Sequence, residues 1–241
     1  METSEARAFY EAEAVNALWS TRELERQINS LLFQRLALSR DKAGVMALAA
    51  KGHEINEPGE LVKDPYVLEF TGIRQDEHFL EKDLESALIS KLRQFLLELG
   101  KGFSFVARQK RFTLDGQHFF IDLVFYNYIL KCFVLIDLKV GALTHQDLGQ
   151  MQMYVNYYTR ELMNEGDGSP IGIVLCSDKN DAVVRYTLPE GNDQIYASRY
   201  KLYLPTEKEL ATELLRERKA LEMEAALAGK TRKTRTRKGE A

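Results

Sequence analysis

The stretch FVLIDLKV, residues 133–140, decides the fold, because it places two opposite charges inside a run that should be buried. Its apolar residues predict a central β-strand covered on both faces. Side chains alternate along a strand, so Asp137 and Lys139 should project from one face about 7 Å apart. A lone charge in such a position is costly. The stretch therefore predicts either an internal ion pair at a strand end or a site where a carboxylate and an amine hold a cation and a water.

Length and composition predict one substantial core with an accessory segment. The chain has 241 residues, of which 45% are apolar and 29% are charged, as in ordinary globular proteins. The formal charge of -3 is unevenly divided, since residues 230–241 hold six Lys or Arg against one Glu. That tail carries +5, so residues 1–229 sum to -8. A basic tail on an acidic body favours sequence-independent attachment to nucleic acid, or a purely solubilising role.

The cysteines and the N-terminus predict a cytoplasmic location and no membrane partner. Cys132 and Cys176 both adjoin apolar, strand-like runs, which favours buried free thiols in a reducing compartment over a disulfide. Apolar stretches stay well below the roughly 18 residues that a membrane span needs. The first residues lack the charge and apolar pattern of a signal peptide.

Helical patterns dominate the N-terminal part of the chain. Residues 4–40 predict two helices, the second opened by a capping box of Ser20 and Glu23. Residues 51–65 concentrate Gly, Pro, Asn and charge, which is typical of a linker, and His53 within it is expected to be solvated. The apolar stripe of the second helix must pack on the main domain, a partner or a second copy.

The remaining patterns predict an α/β fold with a mixed sheet and helices on both faces. The predicted elements are a helix over 75–99, strands over 103–113, 117–126 and 132–140, a helix over 144–164, a strand over 171–176, a short helix over 178–188, one or two strands over 194–204 and a final helix over 207–227. The predicted divisions are a helical segment and linker over 1–63, a main domain over 64–215, and the end of the last helix with a disordered basic tail over 216–241.

A second misplaced acid, Asp122, lies in the apolar run FFIDLVF, residues 119–125. If the two consecutive strands pair, Asp122 and Asp137 can reach one end of the sheet. Close carboxylates repel unless a cation such as Mg²⁺ or Mn²⁺ neutralises them. Lys139 beside that ion would hold a water or a phosphate oxygen, which predicts phosphodiester hydrolysis. The alternative is a buried Asp–Lys pair together with an Asp that caps a turn.

These residues form a recognisable order. Asp122, then Asp137-x-Lys139, then Gln150-x-x-x-Tyr154 resembles the PD-(D/E)XK nuclease superfamily. More closely, the stretch FFIDLVFYNYILKCFVLIDLKVGALTHQDLGQMQMYVNYY resembles the bacterial YhcG-type family of these nucleases. The resemblance implies a restriction-endonuclease-like fold and a metal-dependent nuclease.

The resemblance extends over about residues 64–215, and Ile121 stands where the superfamily name has Pro. Upstream, NALWSTRELERQINSLLFQRL resembles the end of the family's N-terminal helical module, which implies DNA binding. Most of that module is absent from this sequence.

The resemblance assigns roles to individual residues. It implies that Asp122 and Asp137 bind Mg²⁺, or Mn²⁺ in its place, with the carbonyl of Leu138 as a further ligand. Lys139 would be the catalytic lysine. Glu85, in the helix before the sheet, would bind a second metal or orient water through the first. The alternative for Glu85 is an ordinary surface acid.

The helix after the D-x-K strand would supply Gln150, to position water or substrate. The alternative for Gln150 and Tyr154 is a solvated or half-buried helix face. Arg111 and its basic neighbours on the first strand could contact phosphates or be the solvated charges of an edge strand. The candidate nucleic-acid contacts are Arg108, Lys110, Tyr154, Arg232 and Lys233.

The sequence thus predicts a Mg²⁺-dependent endonuclease, with DNA as the partner and no small-molecule cofactor. A homodimer is compatible with this function, because cutting both strands of a duplex needs two sites. One alternative is a catalytically idle nucleic-acid-binding or assembly subunit with the same fold. Another is a nuclease that acts on RNA or branched DNA.

Overall fold

A computed structural model describes residues 3–37, 42–74, 78–206, 208–209 and 212. Contacts divide the chain into two units, Met1–Leu204 and Pro205–Ala241. In the second unit, the Glu209 carboxylate accepts hydrogen bonds from the backbone N–H and the hydroxyl of Thr206, and the Glu209 N–H donates to Thr206 Oγ1. Most of the predicted final helix, and the whole basic tail, lie outside the described residues.

The first unit contains a six-stranded mixed sheet, which confirms the predicted α/β class. The strands are β1 Tyr66–Val67, β2 Phe103–Leu114, β3 Gln117–Asn127, β4 Cys132–Ala142, β5 Ile171–Asp178 and β6 Ile195–Lys201. Their spatial order is β1-β6-β5-β4-β3-β2. The pairs β2–β3 and β3–β4 are antiparallel, whereas β4–β5, β5–β6 and β1–β6 are parallel.

Eight α-helices are present among the described residues. They are α1 Ser4–Asn16, α2 Thr21–Asn29, α3 Leu32–Ala37, α4 Lys42–Lys51, α5 Glu81–Ser90, α6 Leu92–Leu99, α7 His145–Tyr157 and α8 Asp181–Thr187. A π-helical turn, Tyr158–Leu162, extends α7. The predicted capping box of Ser20 and Glu23 opens α2. None of the helices in the described ranges is long and apolar enough to cross a membrane.

The prediction of a single helix over 75–99 is wrong. The described part of that range forms two helices with a break at Lys91. The backbone of Lys91 leaves helical geometry at φ -119° and ψ 33°. Its N–H is shared between the carbonyls of Ala87 and Leu88. The apolar residues keep their helical spacing across Lys91, so the sequence pattern could not reveal the break.

The central strand β4 is buried on both faces, as its composition predicts. Ile136 and Leu138 belong to the core on the side of α5 and α6, whereas Leu135 belongs to the core on the side of α7. These three side chains are fully buried. Both cysteines are buried free thiols, and burial raises the pKa of Cys132 to about 11 and that of Cys176 to about 12.

The N-terminal helices form a third core of their own. The prediction of two helices in this part is wrong, because α1, α2 and α3 share it and pack together with α4. The core residues are Ala6, Phe9, Tyr10, Leu32, Phe33, Leu36, Leu48 and Ala49. This cluster covers the apolar stripe that the second predicted helix left without a partner.

The predicted linker over 51–65 follows α4 as an irregular segment with one 3₁₀ turn, Pro58–Leu61, and parts of it pack into the core. Ile55 and Leu61 belong to the main core beside the sheet. His53, expected to be solvated, is 7% exposed, and its backbone N–H donates to Glu13. Gly, Pro and charge are common in loops, and tertiary contacts with α1 and the sheet decide which residues of this loop are buried.

A buried ionic cluster connects the N-terminal helices to the sheet. Glu98 of α6 is fully buried and accepts hydrogen bonds from Arg35 Nη1 at 2.6 Å, Arg26 Nη1 at 3.2 Å and the backbone N–H of Val67 at 2.9 Å. The Lys63 ammonium donates to the Glu98 carbonyl. The charged groups satisfy one another, which is the condition for burying them.

Because of Lys63, the free energy of unfolding is expected to rise with pH in alkaline solution. Burial lowers the pKa of Lys63 from 10.5 to about 8. Between these two values the unfolded chain binds a proton that the folded protein has released, so raising the pH favours the folded state. Urea unfolding across this window should therefore show wild type gaining about 1 kcal/mol per pH unit relative to Lys63→Met. A difference between the two proteins that stays constant with pH would contradict the expectation.

Candidate active site

The site lies where β3 and β4 part. Their pairing runs from Asn127↔Cys132 to Leu123↔Ile136 and stops before Asp122 and Asp137, while β4 continues along β5. The backbone N–H of Leu138 donates to Asp122 Oδ2 at 2.8 Å. The gap between the two strands thus holds both acids at the same end of the sheet, as the sequence predicted.

Lys139 lies on the same side as Asp137, with its Nζ atom 3.0 Å from Asp137 Oδ2. The ammonium also lies 3.9 Å from Glu81 Oε2 and 3.8 Å from Asp147 Oδ1. The Asp137 side chain is almost fully buried. Among the described residues, Asp137 Oδ2 has the ion pair with Lys139 but no aligned hydrogen bond. A buried carboxylate oxygen therefore retains capacity for another electropositive partner.

Glu85 joins the site from α5. It is 3% exposed, so the alternative of an ordinary surface acid is wrong. Arg108 Nε and Gln109 Nε2 each donate to its carboxylate. Gln109 Nε2 also donates to Asp122 Oδ1 at 2.8 Å. One amide therefore connects two of the three acids.

Gln109 is a site residue that sequence analysis missed. Its φ of 47° lies in the left-handed region, which is costly for a residue with a Cβ. The pairing of β2 with β3 has a register shift close by, between Phe105 and Ala107. A glutamine between arginine and lysine in a strand carries no signal of this geometry, which depends on the local irregularity of β2.

The helix α7 supports the site from the face of the sheet opposite to the one that α5 covers. Thr144 caps it, with Asp147 completing the capping box. Gln150 Nε2 donates to Tyr154 Oη, which donates to the carbonyl of Phe120 at 2.8 Å. Within the described residues, the hydrogen bond of Gln150 is thus to Tyr154 rather than to a carboxylate.

Tyr154 was predicted to contact nucleic acid, and the structure contradicts this. Its side chain is fully buried in the core beside α7, where its ring meets Phe112 edge to face. Burial raises its pKa to about 12, so the hydroxyl stays protonated. Tyr154 therefore holds Gln150 and β3 in position through its hydrogen bonds.

The other predicted nucleic-acid contacts have different surroundings. Arg108 is 43% exposed and also donates to Ser86 Oγ at 3.1 Å, so its charge stays beside Glu85. Lys110 is exposed on β2. Arg232 and Lys233 lie outside the described residues.

The electrostatics of the site favour a cation. Burial raises the pKa of Asp137 to about 7, and the charge of Asp122 adds to this rise. Burial also raises the pKa of Asp122, against the hydrogen bonds from Leu138 and Gln109. For Lys139, burial lowers the pKa, but Asp137 and other acids outweigh it and the net pKa is raised. The ammonium stays charged while the carboxylates ionise at a cost that a divalent cation would offset.

The donor set fits Mg²⁺ or Mn²⁺. Such ions take one or two carboxylates and keep several waters, so they do not need an all-protein cage. Asp122, Asp137 and the carbonyl of Leu138 would supply oxygen donors of this kind, and Asp137 Oδ2 accepts no hydrogen bond among the described residues. No group of three or more His, Cys, Asp or Glu that could enclose a metal ion occurs in the described ranges. Two carboxylates and one carbonyl match the needs of an ion that keeps several of its own waters.

Acids on two parting strands beside an Asp-x-Lys lysine define a site of the PD-(D/E)XK nuclease class. The family model described as "YhcG PDDEXK nuclease domain" matches residues 59–215, and the chain belongs to this family. The chain is 40% identical over 222 residues to the Escherichia coli (strain K12) protein named "Putative nuclease YhcG". That alignment covers 92% of this chain and 59% of the relative, so the chain spans about three fifths of that protein.

Solved structures give more distant likenesses. A repair endonuclease from Pyrococcus abyssi is 18% identical, with a TM-score of 0.36 over 55% of this chain and 50% of the other. A complex titled "EndoMS-dsDNA2" is 15% identical, with a TM-score of 0.37 over 56% and 50%. Neither likeness is close enough to support a functional argument.

Proposed function

We propose that this protein is a metal-dependent endonuclease that hydrolyses phosphodiester bonds, with DNA as its substrate and Mg²⁺, or Mn²⁺ in its place, as its cofactor. The observation that carries the proposal is the gap between β3 and β4. There Asp122 and Asp137 converge, and Lys139 Nζ lies 3.0 Å from the Asp137 carboxylate. Family membership supports the same reaction class.

The residues divide the chemistry between them. When held by Asp122, Asp137 and the carbonyl of Leu138, a divalent cation supplies Lewis acidity at the phosphate and a water of lowered pKa. Lys139 stays protonated and stabilises the negative charge that develops on the phosphate. Its ion pair with Asp137 fixes the position of that positive charge.

Glu85 and Gln150 act around this centre. Arg108 and Gln109 hold the Glu85 carboxylate beside Asp122, where it can orient water or assist metal binding. Gln150 is held by Tyr154 and can position water or substrate from α7. An idle subunit with the same fold would carry the cost of these buried acids without a benefit from them.

Cleavage assays on a panel of substrates test the proposal. Supercoiled, linear, single-stranded and branched DNA, and RNA, are incubated with Mg²⁺, Mn²⁺ or EDTA. We expect cleavage that requires the metal and stops in EDTA, because both ligand acids need a cation beside them. Asp115→Asn, at the exposed β2–β3 turn, is the matched control and should cleave normally. Binding that is insensitive to EDTA, without cleavage of any substrate, would favour the idle subunit.

The proposal also covers the cellular location, the bounds of the nuclease domain and the oligomeric state. The buried free thiols of Cys132 and Cys176 support a cytoplasmic location. The family match over residues 59–215 supports a nuclease domain that begins near residue 64. Cutting both strands of a duplex would be served by a homodimer.

A further inference from the structure

Beyond the gap, β2 and β3 stay paired and form a two-stranded arm, here called the hairpin arm, residues 110–121. Its pairing runs from Lys110↔Ile121 to Leu114↔Gln117. One face of the arm packs on α7, where Phe112 stacks on Tyr157 with ring centroids 4.2 Å apart. The arm is thus anchored to the core and projects from the same end of the sheet as the acidic site.

The other face of the hairpin arm presents Phe120 to solvent. Phe119 and Ile121 pack in the core beside α7, so Phe120 between them projects from the opposite face, two positions before Asp122 in the chain. Phe120 is 45% exposed, although it is a large apolar residue only two positions from Asp122. Its backbone is held by the 2.8 Å hydrogen bond from Tyr154 Oη. Phe120 is therefore an exposed aromatic ring on a rigid strand.

Two further exposed apolar residues adjoin the acidic centre. Leu80, 59% exposed, precedes Glu81, whose carboxylate lies 3.9 Å from Lys139 Nζ. Val140, 38% exposed, follows Lys139 directly. An intact duplex presents its phosphates outward and keeps the flat faces of its bases stacked inside. The flat face of an unpaired base is the part of a nucleic acid that an apolar surface can bind.

We propose that Phe120 is a stacking platform for an unpaired nucleobase next to the scissile phosphate. Arg111, the exposed cross-strand partner of Phe120, would meet the phosphate of the same strand. The substrate is then single-stranded nucleic acid or the unpaired part of a branched molecule. This inference rests on the nuclease function proposed above and names its substrate class.

Binding of two oligomers with equal charge tests the platform directly. An oligothymidylate and an oligomer of the same length built from abasic residues present the same phosphates, but only the first has bases. Affinities are measured in EDTA by fluorescence anisotropy on the full chain, so that cleavage does not intervene. Wild type should prefer the oligothymidylate by about tenfold or more, because stacking acts on bases alone.

Substitutions then assign the preference to one ring. Phe120→Ala should weaken oligothymidylate binding by about tenfold to a hundredfold and leave abasic binding unchanged. Phe120→Trp should keep the preference, because it keeps an aromatic face. Leu114→Ala is the matched control, since Leu114 is 38% exposed on the same arm but lies at its turn. Circular dichroism verifies that each variant is folded.

The outcomes separate the platform from the nuclease function. Equal affinity of wild type for the two oligomers would overturn the platform, as would an equal loss of preference in Phe120→Ala and Leu114→Ala. In cleavage assays, Phe120→Ala should raise KM for single-stranded substrate more than it lowers kcat. Cleavage with no dependence on bases refutes the platform alone. Absence of metal-dependent cleavage on every substrate refutes the nuclease function, whatever the oligomer preference.

Discussion

Replacing Lys139 with alanine, or Asp137 with asparagine, is expected to reduce metal-dependent cleavage by about 10²–10³-fold or more. Lys139→Ala removes the ammonium that lies 3.0 Å from Asp137 and would face the phosphate. Asp137→Asn removes the charge of a proposed metal ligand while keeping its shape. Cleavage rates over a range of Mg²⁺ and Mn²⁺ concentrations measure both effects, with Asp115→Asn as the control. Unchanged rates in both variants would reject the assignment of the site.

Asp137→Asn should also stabilise the fold in EDTA, by on the order of 1 kcal/mol. Burial raises the folded-state pKa of Asp137 from 3.8 to about 7, so ionisation destabilises the folded protein as the pH rises between these values. The gain, measured by urea unfolding, should therefore be larger above pH 7 than near pH 4. A less stable variant at both pH values would indicate that Asp137 is structural, and the loss of cleavage would then have another cause.

Replacing Glu98 with alanine is expected to destabilise the protein by about 3–5 kcal/mol. The change leaves Arg35, whose side chain is fully buried beside it, and Lys63 without their counter-charge. Urea unfolding at neutral pH measures the loss. Glu11→Ala is the matched control, because Glu11 pairs at 2.9 Å with Arg7 on the exposed surface of α1 and its removal should cost far less. Similar losses in the two variants would contradict a central role for the buried cluster.

The pH dependence provides a second measurement on Glu98. Burial raises the pKa of Glu98, but Arg35, Lys63 and Arg26 outweigh it and bring the pKa from 4.5 to about 2. A lowered folded-state pKa contributes stability that is present above pH 4.5 and is lost as the pH falls toward 2. Wild type should therefore lose stability more steeply than Glu98→Gln across this window. Parallel curves would show that the carboxylate is not stabilised as inferred.

Local patterns in the sequence determined the central strand and the reactive residues. The run around Asp137 and Lys139 could only be a buried strand, and its charges required a partner or a function. The hairpin of β2 and β3 followed from two strand-like runs joined by a Gly-containing turn, and Asp122 stood out as a charge within an apolar run. Such features can be predicted from sequence because the alternation of side chains along a strand and the cost of burying a charge depend on a few neighbouring residues.

Tertiary structure alone decided which distant residues complete the site. Glu85 has the same helical surroundings in sequence as many surface acids, and it became a site residue only because α5 packs beside Arg108 and Gln109. Tyr154 is buried because α7 covers the sheet, and Ile55 and Leu61 are buried for a similar reason. These outcomes depend on contacts between segments far apart in the chain, and the energy of such contacts cannot be read from local periodicity. The separation of β3 from β4, which creates the site, likewise depends on contacts between distant segments.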